Sequence, residues 1–269
     1  MSPTLSAIIG IGLIFVCTGI GASFVFFYKG KTISEKVNQI FLGFASGIML
    51  SAAIFSLVLP ALDASVDYMP TWLIIAISIA VGSGFIWVID KVVPHIHNDG
   101  DNATEEGFKT NLLGKRGKMF LAVTIHNIPE GLSVGIAYFG LLAGQQGASE
   151  GTILSGALML AVGIGIQNIP EGAVVALSIR GETNSTWKSF WFGLGSGAVE
   201  PIAAVLGLFL AMQIEIIMPW ALAFAAGCML FVIAEEMIPE MKGDSNRHHG
   251  VWSFIIGFIL MMSLDIALG

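Results

Sequence analysis

Charge is scarce in this chain. Only 12% of its 269 residues are Asp, Glu, Lys or Arg, while 55% are apolar, and the mean hydropathy is +0.83. That excludes a soluble globule, whose surface carries about twice that charged fraction. Cysteine is nearly absent as well: Cys17 and Cys228 both fall inside apolar runs. Two isolated thiols exclude a disulfide framework and a thiolate metal cluster, and leave buried apolar filler as their role. Basic residues are missing from both ends of the chain, and the formal net charge of −7 denies nucleic acid the basic surface it requires. There is no HExxH and no glycine-rich phosphate loop. The first apolar run has no basic residues ahead of it and no small-residue cleavage site, so it reads as a retained span rather than a signal peptide.

What the chain does have is apolar length. At about 20 residues per crossing, eight runs are long enough to span a bilayer, near 5–28, 36–60, 71–93, 117–139, 152–179, 187–212, 217–239 and 251–268. They leave room for one integral membrane domain, with the lipid bilayer as its surroundings and an all-α polytopic fold of eight transmembrane helices. All 12 basic residues fall in the first, third, fifth and seventh connections. The positive-inside rule then places both termini outside and those connections in the cytoplasm. The one long connection, the cytoplasmic loop 95–117, carries His95 and His97 close to several acids. Such a pair holds a divalent ion weakly at best; solvated loop histidines are the plainer reading. On the outer side, Asp63, Asp67, Glu150, Glu215 and Asp265 have no basic counterpart and raise the local cation concentration. The 33 glycines lie mostly within spans, and their small size predicts close packing of spans 1, 5 and 6.

Two near-copies of a six-residue phrase stand inside this apolar sequence: His126-Asn127-Ile128-Pro129-Glu130-Gly131 and Gln167-Asn168-Ile169-Pro170-Glu171-Gly172. Residues four apart share a helix face, so His126 is expected beside Glu130 and Gln167 beside Glu171. Each proline removes one helical hydrogen bond and frees the carbonyl of Ile125 or Ile166 near the pair. Depth is the stronger argument. Counted from the basic residues that mark the inner boundary, His126, Glu130, Gln167, Glu171 and Glu200 lie roughly 12 to 20 Å inside, from three different spans. Ionisable groups at that depth are costly and mark function. One imidazole, three carboxylates and the amides of Asn127, Gln167 and Asn168 make a mixed nitrogen and oxygen set. It suits Zn²⁺, with iron, manganese, cobalt, nickel or Cd²⁺ also able to bind, and disfavours Cu(I), Mg²⁺ and Ca²⁺. Three neighbouring carboxylates repel one another when empty, so at least one is expected to hold a proton until metal displaces it.

These motifs, Glu200-Pro201 in the next span, and the layout of eight spans with both ends outside resemble the ZIP (Zrt- and Irt-like) metal transporters. The stretch from Phe41 to Gly47 and on through Phe55 to Asp63, together with the close Met261 to Gly269, is similar to the prokaryotic, GufA-like branch. The resemblance implies a 3+2+3 inverted-repeat fold, with spans 1–3 and 6–8 around 4–5. It implies a central metal site of His126, Glu130, Gln167, Glu171 and Glu200, and an adjoining second site of Asn127 and Asn168 with Glu171 and Glu200. Gln167 stands where many members have histidine, and Asn168 where related bacterial members have aspartate. Met49, Ser56 and Asp63, seven residues apart, would line an outer entry path; Glu235, Glu236 and Glu240 would form an inner release side. The function implied is import of zinc, with Cd²⁺ as a related ion, across the cell (inner) membrane. Spans 1, 4, 5 and 6 would move against 2, 3, 7 and 8, often within a homodimer. An iron or manganese importer, a metal sensor that binds without transport, and an intramembrane metallohydrolase with Glu130 or Glu171 as general base are the alternatives.

Overall fold

The structure, a computed structural model, describes residues 2–28, 33–64, 66, 68–92, 95–97, 104–106, 115–142, 150–183, 185–213, 217–242 and 248–268. Helix α1 (Pro3–Phe27) starts with the Ser2 side chain accepting from the Leu5 amide and proline at the first turn. The second rod is α2 (Glu35–Ser51), capped by Ser34, a π-helical stretch Ala52–Val58 and α3 (Leu59–Asp63). Then come α4 (Thr71–Val92), α5 (Lys115–Leu142) and α6 (Glu150–Thr183). The sixth rod is split into α7 (Thr186–Ser196) and α8 (Val199–Gln213). The seventh is α9 (Met218–Val232), a π-helical stretch Ile233–Met237 and α10 (Ile238–Lys242), and α11 (His249–Leu268) is the eighth. Seven rods are long and apolar enough, over their described residues, to cross a membrane, and α5 makes the eighth helix. The long connection is not wholly irregular: β1 (His95–His97) pairs antiparallel with β2 (Thr104–Glu106), a small departure from an all-α chain.

The breaks follow from proline chemistry. Pro60 and Pro239 cannot donate to Ser56 and Glu235 four residues back, and each π-helical stretch contains the residue whose carbonyl lost its donor. In the sixth rod, Pro201 follows a glycine-rich turn in which Ala198 N bonds Gly195 O and Glu200 N bonds Gly197 O, both at 3.1 Å. The Glu200 amide therefore does not use Ser196 O, and that carbonyl is left for a side chain.

Packing follows a twofold pattern. Helix α1 lies along α6 as α8 lies along α5; α2 lies along α11 as α9 lies along α4. Each pairing exchanges rods 1, 2, 3 and 4 for 6, 7, 8 and 5, which is the inverted repeat expected. Glycine permits the backbone contacts. Gly172 faces the Thr18 carbonyl, Gly131 that of Glu200, Gly47 that of Phe254 and Gly227 that of Ile79. Close packing of spans 1, 5 and 6 holds as well: a Cβ at Gly193 would lie 2.9 Å from both Ala22 Cβ and Ala176 Cβ. Arg180 ties α6 to the end of α1, its Nη1 donating to Val25 O at 2.5 Å and Tyr28 O at 2.7 Å. Cys17 and Cys228 are buried free thiols.

Candidate metal site

The two motif copies dock in the same way. On α5, Asn127 Nδ2 donates to Ser196 O (3.2 Å), and Gly131, one turn on, packs against the Glu200 backbone. On α6, Asn168 Nδ2 donates to Ile14 O (3.1 Å), and Gly172 packs against the Thr18 backbone. Asparagine and glycine four residues apart thus meet carbonyls four residues apart on a parallel neighbour. The two docked neighbours then meet each other, because Thr18 Oγ1 donates to Glu200 Oε1 at 3.2 Å. Both asparagines also reach that carboxylate: Asn127 Nδ2 is 2.9 Å from Oε1 and Asn168 Nδ2 is 2.5 Å from Oε2. Glu200, fully buried, is held by three donors from three helices.

Beside it lies a second cluster. The Gln167 amide donates through one nitrogen to Glu130 Oε1 (2.5 Å) and to Glu171 Oε1 (3.1 Å). It draws together two carboxylates that would otherwise repel one another, with an N–H group where a cation would bring positive charge. Four buried oxygens in the two clusters, Asn127 Oδ1, Glu130 Oε2, Gln167 Oε1 and Asn168 Oδ1, accept no hydrogen bond from any described residue. An unsatisfied buried acceptor costs about 1–3 kcal/mol, so four on two neighbouring helices want a reason. A cation bound between the two clusters would satisfy all four.

His126 sits differently from the helix-face expectation. Its Nε2 lies 2.7 Å from Glu236 Oε1, in the π-helical stretch of the seventh rod, rather than on Glu130, whose Oε1 Gln167 already holds. Asp90 of α4 completes the group: one ligand atom from each of Asp90, His126 and Glu236 lies within 4.8 Å of the others, a spacing suited to a metal ion. Asp90 was missed from the sequence, although it is the only acid in its apolar run. Thr18 was missed too, since one hydroxyl in a span carries little signal.

The remaining candidates are spread out. Met49 is buried in the core and Asp63 is exposed at the end of α3. Ser56 Oγ donates to Asp265 Oδ1 of α11 at 2.8 Å. The seven-residue spacing of these three assumes a regular helix, and the π-helical turns around Ser56 break that register. Glu235 and Glu240 are exposed on the seventh rod while Glu236 turns in towards His126. His95 and His97 stand on β1; their side chains lie outside the described residues.

The Zip family model, described as ZIP Zinc transporter, matches residues 118–265, which include both motifs, Glu200 and Glu236. Along its whole length the chain is 32% identical to zinc transporter ZIP11 of Xenopus tropicalis, covering 98% of that protein. It is 33% identical to zinc transporter GufA of Myxococcus xanthus over 94% of each chain. Zinc transporter ZIPB of Bordetella bronchiseptica is 31% identical over 98% of this chain and 81% of its own. The chain belongs to the ZIP family, and it is a multi-pass membrane protein.

Proposed function

We propose that this ZIP-family member carries Zn²⁺ across the inner membrane into the cytoplasm, by way of the polar clusters that α1, α5, α6 and α8 hold between them. The names of its relatives support the substrate. The observation that carries the reading is the Gln167 amide clamped between Glu130 and Glu171, with four acceptor oxygens orphaned around it. A divalent ion entering here replaces one weak positive dipole by two full charges. Turning the Gln167 amide then aims Oε1, now without a donor, at the ion.

In this reading His126, Glu130, Gln167, Glu171 and Glu200 form the central position, and Asn127 and Asn168 line the adjoining one. Met49, Ser56 and Asp63 lead in from the outer side. His126 stands on the same helix as Glu130 but reaches Glu236 and Asp90, so it links the central position to an inner one. Glu235 and Glu240, and beyond them His95 and His97, continue towards the cytoplasm. The tight backbone packing within rods 1, 4, 5 and 6 and within rods 2, 3, 7 and 8 supports movement of one set against the other, elevator fashion. Both termini then face outward, Cd²⁺ follows Zn²⁺ through the same ligands, and the chain assembles as a homodimer. Uptake of ⁶⁵Zn²⁺ into proteoliposomes, with each divalent ion as competitor, tests the reading. Wild-type uptake no faster than that of Glu171→Ala would sink it.

A further inference from the structure

The pocket around Glu200 has the chemistry of a hard, singly charged ion. We propose that it binds Na⁺, so that the adjoining position is a monovalent cation site rather than a place for a second transition metal. The inference rests on the reading of two adjoining positions and assigns the ion at one of them.

Its lining is all oxygen once the two amides turn. Around the Glu200 carboxylate stand Thr18 Oγ1, the carbonyls of Ile14 and Ser196, and the amides of Asn127 and Asn168. The amide oxygens Asn127 Oδ1 and Asn168 Oδ1 are buried and accept no hydrogen bond from any described residue. A half turn of either amide exchanges the nitrogen that now touches Glu200 for that oxygen. Hydroxyl, carbonyl, amide and carboxylate oxygens are hard ligands; no imidazole or thiolate is among them.

Charge decides against a divalent ion. With Glu130 and Glu171 committed to the ion at the central position, Glu200, which the two positions share, is the one further negative charge, and the other five groups are neutral. A divalent ion would leave an uncompensated charge at membrane depth, which is costly. Size agrees with a small ion. The two asparagine nitrogens lie 2.5–3.2 Å from the Glu200 oxygens and the carbonyls. Ligand oxygens around an ion bound at about 2.4 Å sit roughly 3.4 Å apart, so small shifts close the shell. The break in the sixth rod supplies the remaining element. The Ser196 carbonyl ends a half-helix and is not used by the Glu200 amide, and discontinuous membrane helices offer such carbonyls to Na⁺. In the ion's absence the asparagine N–H groups take its place against the carboxylate.

The full-length protein in detergent is assayed for ²²Na⁺ and ⁶⁵Zn²⁺ binding by scintillation proximity, with K⁺ as competitor and N-methylglucamine chloride holding ionic strength constant. Saturable ²²Na⁺ binding is expected, with K⁺ at least about tenfold weaker. Thr18→Val should weaken Na⁺ at least about tenfold, and more than it weakens ⁶⁵Zn²⁺. Asn168→Asp adds a second carboxylate and should trade Na⁺ for a further Zn²⁺, raising zinc content towards two per chain, with slower release because conduction needs weak binding too. Retained ⁶⁵Zn²⁺ binding shows that either variant is folded. A second Zn²⁺ on the wild-type chain that Asn168→Ala removes, or ²²Na⁺ binding indifferent to both Thr18→Val and Asn168→Asp, would overturn the assignment. Wild-type ⁶⁵Zn²⁺ binding that Glu171→Ala removes, with no ²²Na⁺ binding at all, overturns it while leaving the transport reading intact. Binding of ²²Na⁺ without ⁶⁵Zn²⁺ does the reverse.

Discussion

Gly131→Ala puts a methyl group into a close helix contact at the site. The added Cβ would lie 2.9 Å from the Glu200 carbonyl carbon and 2.9 Å from Ala203 Cβ, and nearer still to the Glu200 carbonyl oxygen. Carbon atoms rest about 3.5–4.0 Å apart, so α8 must move off α5 by roughly 1 Å. Asn127 now spans that gap with contacts of 2.9 Å to Glu200 Oε1 and 3.2 Å to Ser196 O. The same movement stretches both to about 4 Å, which is no hydrogen bond. Overpacking costs about 1–3 kcal/mol, and stranding a buried polar group adds about 1–3 kcal/mol. The expected outcome is a lowered melting temperature and at least about a tenfold loss of ⁶⁵Zn²⁺ uptake in proteoliposomes, since about 1.4 kcal/mol is already tenfold. Gly12→Ala is the control: its Cβ meets nothing within 4 Å, and alanine favours the helix. If Gly131→Ala behaved like Gly12→Ala in both assays, the close approach would not be what builds the site.

Three further outcomes follow from the same geometry. Glu171→Ala leaves the Gln167 amide with Glu130 alone and removes a charge from the central position, so uptake should fall at least about a hundredfold, as expected when a buried ion loses a charged ligand; initial rates of ⁶⁵Zn²⁺ uptake measure it. His126→Ala removes the imidazole that lies at the depth of the site and should weaken Zn²⁺ and Cd²⁺ binding more than Mn²⁺ binding, and an unchanged order in competition binding would exclude it as a ligand. Pro239→Ala restores an N–H that can reach Glu235 O and so favours a regular helix over the stretch Ile233–Met237. Turning Glu236 away from His126 should slow uptake while leaving equilibrium zinc binding at the central position, a split that paired uptake and binding measurements resolve.

Much of the architecture was legible because membrane helices obey one dominant rule, apolar length. The runs near 5–28 and 71–93 became α1 and α4 with ends shifted by a few residues. Hydropathy says nothing, however, about which backbone bonds survive inside a run. The split of the sixth rod and the two π-helical stretches therefore went unread, although Pro201, Pro60 and Pro239 stood in plain view. The site shows the same division. Repetition exposed Asn127, Glu130, Asn168 and Glu171, and depth exposed Glu200. Spacing along one helix could pair His126 only with its own neighbour Glu130, whereas the carboxylates that meet His126 come from α4 and the seventh rod.

The motif is doubled because the fold is. Asn127 and Gly131 meet Ser196 and Glu200, while Asn168 and Gly172 meet Ile14 and Thr18, so one local device is used twice about the same pseudo-axis. Where the copies differ, the site gains its asymmetry. Thr18 stands opposite Glu200, so a single carboxylate, not two, lies at the axis and receives donors from both sides. Gln167 stands opposite His126: the amide turns inward to join Glu130 with Glu171, and the imidazole turns out of the cluster towards Asp90 and Glu236. A strictly symmetric pair would offer an ion two equivalent ways out. Two substitutions in an otherwise repeated device leave one buried carboxylate between the two copies and one imidazole, on one side only, turned away from it.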